Sequence, residues 1–210
     1  MVKIVISSGH GKYVRGAAGI IDEVDEARKM VEQIASELKL RGAEIVTFHD
    51  DTSKDQNTNL NTIVNFHNKQ KRDLDVSVHY NAFEQRDEPV GCEVWYVSQK
   101  DIAAKISAAI ASVGFKDRGA KWTDELFFLN KTNEPAVLLE ICFVDSVADC
   151  EIYEKHFSDI ADAIADLVDK TESVPEPPPA GAVPPPSVVN INVEGNVIVY
   201  VNGEQVGTQG

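Results

Sequence analysis

Apolar residues follow two periods along this chain. Short runs at 3–7, 44–48, 74–79, 91–97, 126–129 and 136–143 are continuous or alternating, and they predict strands. Between them, apolar residues recur at three- and four-residue spacing. Val31, Ile34, Ala35 and Leu38 form one such stripe, and Ile160, Ala163, Ile164 and Leu167 form another. These stripes predict helices over about 22–41, 60–71, 102–113 and 148–170. Strand–helix alternation implies an α/β fold: a single twisted, mostly parallel or mixed sheet with helices on both faces. Sites in such folds form at the carboxyl ends of strands.

The pattern breaks at "PEPPPAGAVPPP", which holds seven of the nine prolines. Proline removes a backbone donor and fixes φ, so this segment reads as an extended spacer, reaching roughly 40 Å at about 3.1 Å per residue. The expected organisation is a globular domain at 1–171, a linker at 172–187 and a short β-hairpin tail at 188–210. In the tail, Val189, Ile191 and Val193 alternate with asparagines, and a glycine turn leads into Val197–Val201. So few strands bury too little surface to stand alone. Pairing between copies through this hairpin is therefore expected, ahead of docking on the main domain or service as part of a larger binding domain.

Composition narrows the function. A formal net charge of −14 argues against nucleic-acid binding and against nonspecific attraction to anionic membranes. No run of about eighteen apolar residues predicts a membrane span. The first residues enter a strand without the pattern of a secretory signal, which implies synthesis and folding in a cytoplasm. Cys92, Cys142 and Cys150 lack metal-binding spacing and read as buried, reduced thiols.

Three stretches carry candidate chemistry. "VISSGHGKYVRGAAGIIDEVDEARK" ends a strand at His10 and opens a helix with Glu23 and Glu26. Stepping back four residues from Ala27 puts Glu23 on the sheet side, whereas Glu26 lies off the stripe. "DLDVSVHYNAF" ends a second strand at His79. "NEPAVLLEICF" carries Glu140 inside an apolar run, where a carboxylate is costly unless paired or metal-bound. Taken singly, each histidine reads as structural and Glu23 as a helix N-terminal acid. Taken together, two histidines and a carboxylate make a zinc site with an open position, and Glu140 beside it would be the general base. His49 reads as a loop residue near the site, and His67 and His156 as structural or surface residues. No HExxH is present, and the glycine-rich loop matches no phosphate-binding motif.

These stretches resemble the zinc-dependent N-acetylmuramoyl-L-alanine amidases, a family that includes phage endolysins and bacterial autolysins. The resemblance covers about residues 3–170 and rests on "SSGHG", the acid opening the first helix, "SVHYNA" and "PAVLLEICF". It implies zinc held by His10, Glu23 and His79, with Glu140 as the catalytic carboxylate. The implied substrate is peptidoglycan, reached after release from the cell or export. Asn81, Arg118 and Asn130 are expected substrate contacts, with Trp122 near the same groove. Two departures stand out: Ser7-Ser8 replaces the family's Asp-Pro, and Ile63 stands where the family helix commonly has Arg. A zinc peptidase acting on wall peptides, or a non-catalytic wall-binding module, are the competing readings.

Overall fold

The computed structural model describes residues 1–169, 197–201 and 204–209. The chain falls into two units, 1–174 and 175–210. The first contains six strands: β1 (Lys3–Ser8), β2 (Glu44–Phe48), β3 (Leu74–Asn81), β4 (Cys92–Tyr96), β5 (Asp117–Trp122) and β6 (Ala136–Phe143). Its helices are α1 (Glu23–Leu40), α2 (Gln56–Asn68), α3 (Lys100–Ala111), α4 (Phe127–Lys131) and α5 (Val147–Asp169). The strands form one sheet in the order β2-β1-β3-β6-β4-β5. All neighbours run parallel except β4 and β6, so the sheet is mixed. The second unit contains β7 (Val197–Val201) paired antiparallel with β8 (Glu204–Gln209). The predicted linker and the strand expected at 189–193 lie outside the described residues.

Strand alternation sorts the sheet into two faces. Val137, Leu139 and Ile141 of β6 join a core with side chains of α1, α3 and α5, among them Met30, Ile106 and Ile164. Ala136 and Leu138 join a smaller core with Ile63 and Val64 of α2 and Phe128 of α4. Each large aliphatic side chain buried this way contributes roughly 1.5–3 kcal/mol. Glu140 continues the second series and so belongs to the α2–α4 face.

Helix α1 starts at Glu23 because Asp22 caps it. Asp22 Oδ1 accepts from the N–H groups of Val24 at 3.0 Å and Asp25 at 3.2 Å. The acids of the first turn complement the helix dipole. Helix α2 begins earlier than the apolar stripe predicted, at Gln56 rather than near residue 60. Asp55 caps it by accepting from the Thr58 N–H at 2.9 Å, and the first turn is polar. Helix α5 is interrupted at His156, whose φ of −116° is not helical.

Two elements differ from the periodicity. The run at 126–129, expected as a strand, is the short helix α4. Its apolar residues pack as one helical turn against α2 and β6, which a four-residue window cannot distinguish from a strand. Strand β5 was not expected, because "DRGAKW" has little apolar alternation. It lies at the sheet edge, where burial is partial.

Candidate metal centre

His10 sits just past the end of β1, in a loop held at three points. The Gly9 N–H donates to Val78 O at 2.9 Å and the Lys12 N–H to Asp50 O at 2.8 Å. Ser8 Oγ donates to His10 O at 3.2 Å. Gly9 is required by a close approach: a Cβ there would lie 1.8 Å from His79 Nε2. Asp50 in turn accepts from the Thr52 and Ser53 N–H groups and from Asn59 Nδ2. Burial works against its charge, but these bonds outweigh burial and hold its carboxyl well below the usual range.

Glu23, buried at the start of α1, reaches both histidines. Its Oε1 lies 3.0 Å from His79 Nδ1 and 3.6 Å from His10 Nε2. It also accepts from the Tyr80 N–H at 3.1 Å, and its Oε2 accepts from the Ala17 N–H at 2.6 Å. The two imidazole rings meet edge to face with centroids 5.0 Å apart. One ligand atom from each of His10, Glu23 and His79 falls within 4.8 Å of the others. Glu26 points elsewhere: it accepts from Tyr153 Oη at 3.0 Å and from Lys29 Nζ at 2.8 Å.

The charges within this cluster are coupled. Burial raises the Glu23 pKa, but the hydrogen bond and charge of His79, with His10 adding, bring it below the ordinary value. Burial lowers His79, yet Glu23 outweighs burial and raises it. Burial and the neighbouring His79 lower His10, against the pull of Glu23. His10 Nδ1 is shielded from water and has no hydrogen-bond partner. Two imidazoles and an ionised carboxylate converging beside an unsatisfied nitrogen fit a divalent metal of the zinc type.

Glu140 stands directly beside His79 in the β3–β6 register. Its Oε2 is also shielded and without a partner. Burial pushes its pKa up to about 8, with Glu23 and Glu93 adding and His79 opposing. Both groups line a cavity of about 390 Å³, whose far wall is apolar and includes Ile63, Leu126 and Phe128.

Glu93 was not anticipated. It is 3% exposed and faces Glu140 across the β4–β6 pair. It accepts from Asn81 Nδ2 at 3.1 Å and from Arg118 Nε at 2.8 Å. The signal that marked Glu140, an acid inside an apolar run, is present in "GCEVWYV" as well. Arg118 reaches this face through a bulge: one residue of β4 opposes two of β5, and Gly119 takes φ +78°. Asn130 lies apart, with its Nδ2 donating to the carbonyls of Asp124 and Leu126, and it is not among the residues lining the cavity. Trp122 is exposed and does not line the cavity either.

The other histidines hold structure. His67 is fully buried, with Nδ1 2.7 Å from Asp75 Oδ1 and Nε2 2.9 Å from Ser7 Oγ. His49 contacts Ser8 Oγ at 3.0 Å, the hydroxyl that braces His10. His156 contacts Asp159 beside the interruption in α5. All three cysteines are free and buried, and burial raises their thiol pKa values. Among the described residues, no helix is long and apolar enough to cross a membrane.

Comparison with known proteins gives a consistent result. A family model described as N-acetylmuramoyl-L-alanine amidase matches residues 4–170. An uncharacterized 38.4 kDa protein of Clostridium perfringens is 34% identical over 166 residues, 76% of this chain and 48% of its own length. The chain spans about half the length of the curated relatives it matches. The catalytic domain of the CD27L endolysin targeting Clostridia difficile is similar in structure, with a TM-score of 0.74 and 27% identity. That match covers 80% of this chain and 97% of the endolysin domain. The catalytic domain of CwlV, an amidase from Bacillus (Paenibacillus) polymyxa var. colistinus, gives 0.69 and 27%, covering 80% and 96%.

Proposed function

This chain belongs to the N-acetylmuramoyl-L-alanine amidase family, and we propose that it hydrolyses the amide between the lactyl group of N-acetylmuramic acid and L-alanine in peptidoglycan. His10, Glu23 and His79 are the proposed zinc ligands. Zinc bound there would lower the pKa of water and polarise the scissile carbonyl. Glu140 is the proposed general base. It takes the proton of the attacking water on its carboxylate and passes it to the departing alanine nitrogen. Asn81 and Arg118 are proposed to contact the substrate.

One observation carries the reading. Glu140 Oε2 is a shielded, unpartnered carboxylate oxygen on the strand beside His79, and both line the same cavity. A carboxylate retained for stability would have acquired donors, as Asp50 has. Its raised pKa suits proton transfer near neutrality. A cation held by the adjoining cluster would favour its ionised form.

The protein is proposed to act on the wall after release or export. Pairing of copies through the tail at 188–210 is a further proposal, checked by light scattering on the whole chain and on residues 1–172. Two monomers at micromolar concentration would overturn it. The central test is metal analysis of the purified protein with mass spectrometry of peptidoglycan digests. New muramic lactyl carboxyls paired with free L-alanine amines are expected. Cuts confined to bonds between amino acids would overturn the amidase reading in favour of a wall peptidase.

A further inference from the structure

A row of polar side chains crosses four adjacent strands on the α2–α4 face. His79 on β3 lies beside Glu140 on β6, which faces Glu93 on β4, which holds Arg118 on β5. The proposed metal ligands occupy one end. At the other end is a second cavity of about 370 Å³, lined by Asn81, Phe83, Arg86, Arg118 and Phe143 among others. The chain carries a net charge of −14, yet two guanidinium groups converge here.

Both are mounted on aromatic rings. The Arg118 guanidinium lies over Phe143 at 5.1 Å, and that of Arg86 over Phe83 at 5.2 Å. Arg118 is fixed from behind, because its Nε donates to the buried Glu93 at 2.8 Å. Its terminal amino groups have no protein partner among the described residues, which leaves the end of the planar fork for a ligand. Arg86 donates from Nη2 to Glu84 Oε1 at 2.7 Å, while its Nε is shielded and unpartnered. Glu93 also accepts from Asn81 Nδ2, so one buried carboxylate holds the amide and the guanidinium at neighbouring corners of the cavity.

We infer that this second cavity is a carboxylate-binding subsite: Arg118, positioned by Glu93 and flanked by Arg86, takes a carboxylate of the peptide joined to the scissile amide. The inference rests on the amidase reading for the identity of the substrate. A guanidinium braced through Nε and stacked on a ring loses little freedom on binding, and its two terminal donors match two carboxylate oxygens. An uncharged carboxamide at the same place would set its NH2 against one of those donors and keep only one acceptor.

The test uses two synthetic muramoyl peptides that differ only at the residue after L-alanine, one with a free side carboxylate and one with the carboxamide. The whole chain, loaded with zinc, is assayed for kcat/KM on both. Binding of the two corresponding cleaved peptides is measured by calorimetry. The protein is expected to favour the carboxylate about ten-fold or more in each assay. Arg118→Ala is expected to remove the preference by weakening the carboxylate compound alone, with zinc content unchanged. Because Arg118→Ala strands the buried Glu93 carboxylate, Arg118→Ala with Glu93→Gln is made in parallel as a version relieved of that charge. Equal handling of both compounds by the unmodified protein overturns the subsite, as does an equal loss on both in the variants. A binding preference without turnover supports the subsite while overturning the amidase reading.

Discussion

Strand β3 contributes to two histidine–carboxylate clusters, one on the α2–α4 face of the sheet and one at its carboxyl end. At Asp75, every polar atom is occupied. Oδ1 accepts from His67 Nδ1 and Arg72 Nε, and Oδ2 from Arg72 Nη2 at 2.6 Å. His67 Nε2 is hydrogen-bonded to Ser7 Oγ, and the cluster is sealed from solvent. Four residues along the strand, His79 meets Glu23 and His10, but His10 Nδ1 and the neighbouring Glu140 Oε2 remain unsatisfied against a cavity. The first cluster has the residue types of a Ser-His-Asp triad, yet no substrate can reach Ser7, which is fully buried. Residue type therefore does not distinguish a clamp from a reactive site. Unspent hydrogen-bonding capacity beside open space does.

The comparison can be broken most sharply at Glu140. Glu140→Gln is expected to keep bound zinc and lose about 10²–10⁴-fold in turnover. Near-normal hydrolysis of purified peptidoglycan would remove Glu140 from the mechanism. Next is the sealed cluster, where Asp75→Ala strands a buried cation and is expected to cost about 3–5 kcal/mol in urea unfolding. Zinc per folded molecule should not change. A cost below about 1 kcal/mol would show that the clamp is dispensable.

Smaller in size is a pH effect on the metal-free protein. The folded pKa of Glu140 is raised from 4.5 to about 8, so between those values the folded state holds a proton that the unfolded chain has released. Stability contributed by the protonated form is fully present below the lower value and falls as pH rises. The slope attributable to this group is at most about 1.4 kcal/mol per pH unit. Glu140→Gln should remove that slope, and parallel profiles from pH 5 to 8 for the two proteins would refute the shift. The smallest effect is expected at Glu26, whose bonds to Tyr153 and Lys29 lie away from the histidines. Glu26→Ala should retain zinc and change stability by about 1 kcal/mol or less. Loss of metal there, with retention in Glu23→Ala, would exchange the two roles.

Much of this was legible along the chain. The alternation of strands and helices was readable because each buried face repeats at its own period. Glu140 stands out in the sequence because a carboxylate within an apolar strand is costly unless paired or metal-bound. Glu23 was separable from Glu26 because α1 carries its apolar stripe through Ala27 and Val31. These are local facts, and each follows from a few neighbouring residues.

What neighbouring residues could not express is which distant atoms meet. Strand β5 has almost no periodic signal, and its place at the sheet edge follows from pairing with β4. His67 and Asp75 are eight residues apart, and only the return of α2 over β1 and β3 closes them around Ser7. In the sequence Glu93 is one acid in a strand; antiparallel pairing sets it opposite Glu140, and a bulge in β5 brings Arg118 to it. The sequence by itself determined the elements and the residue types with chemical potential, because propensity and periodicity act over a few positions. Tertiary structure alone decided which of those groups are satisfied and which are left free, because satisfaction depends on strand order, register and burial.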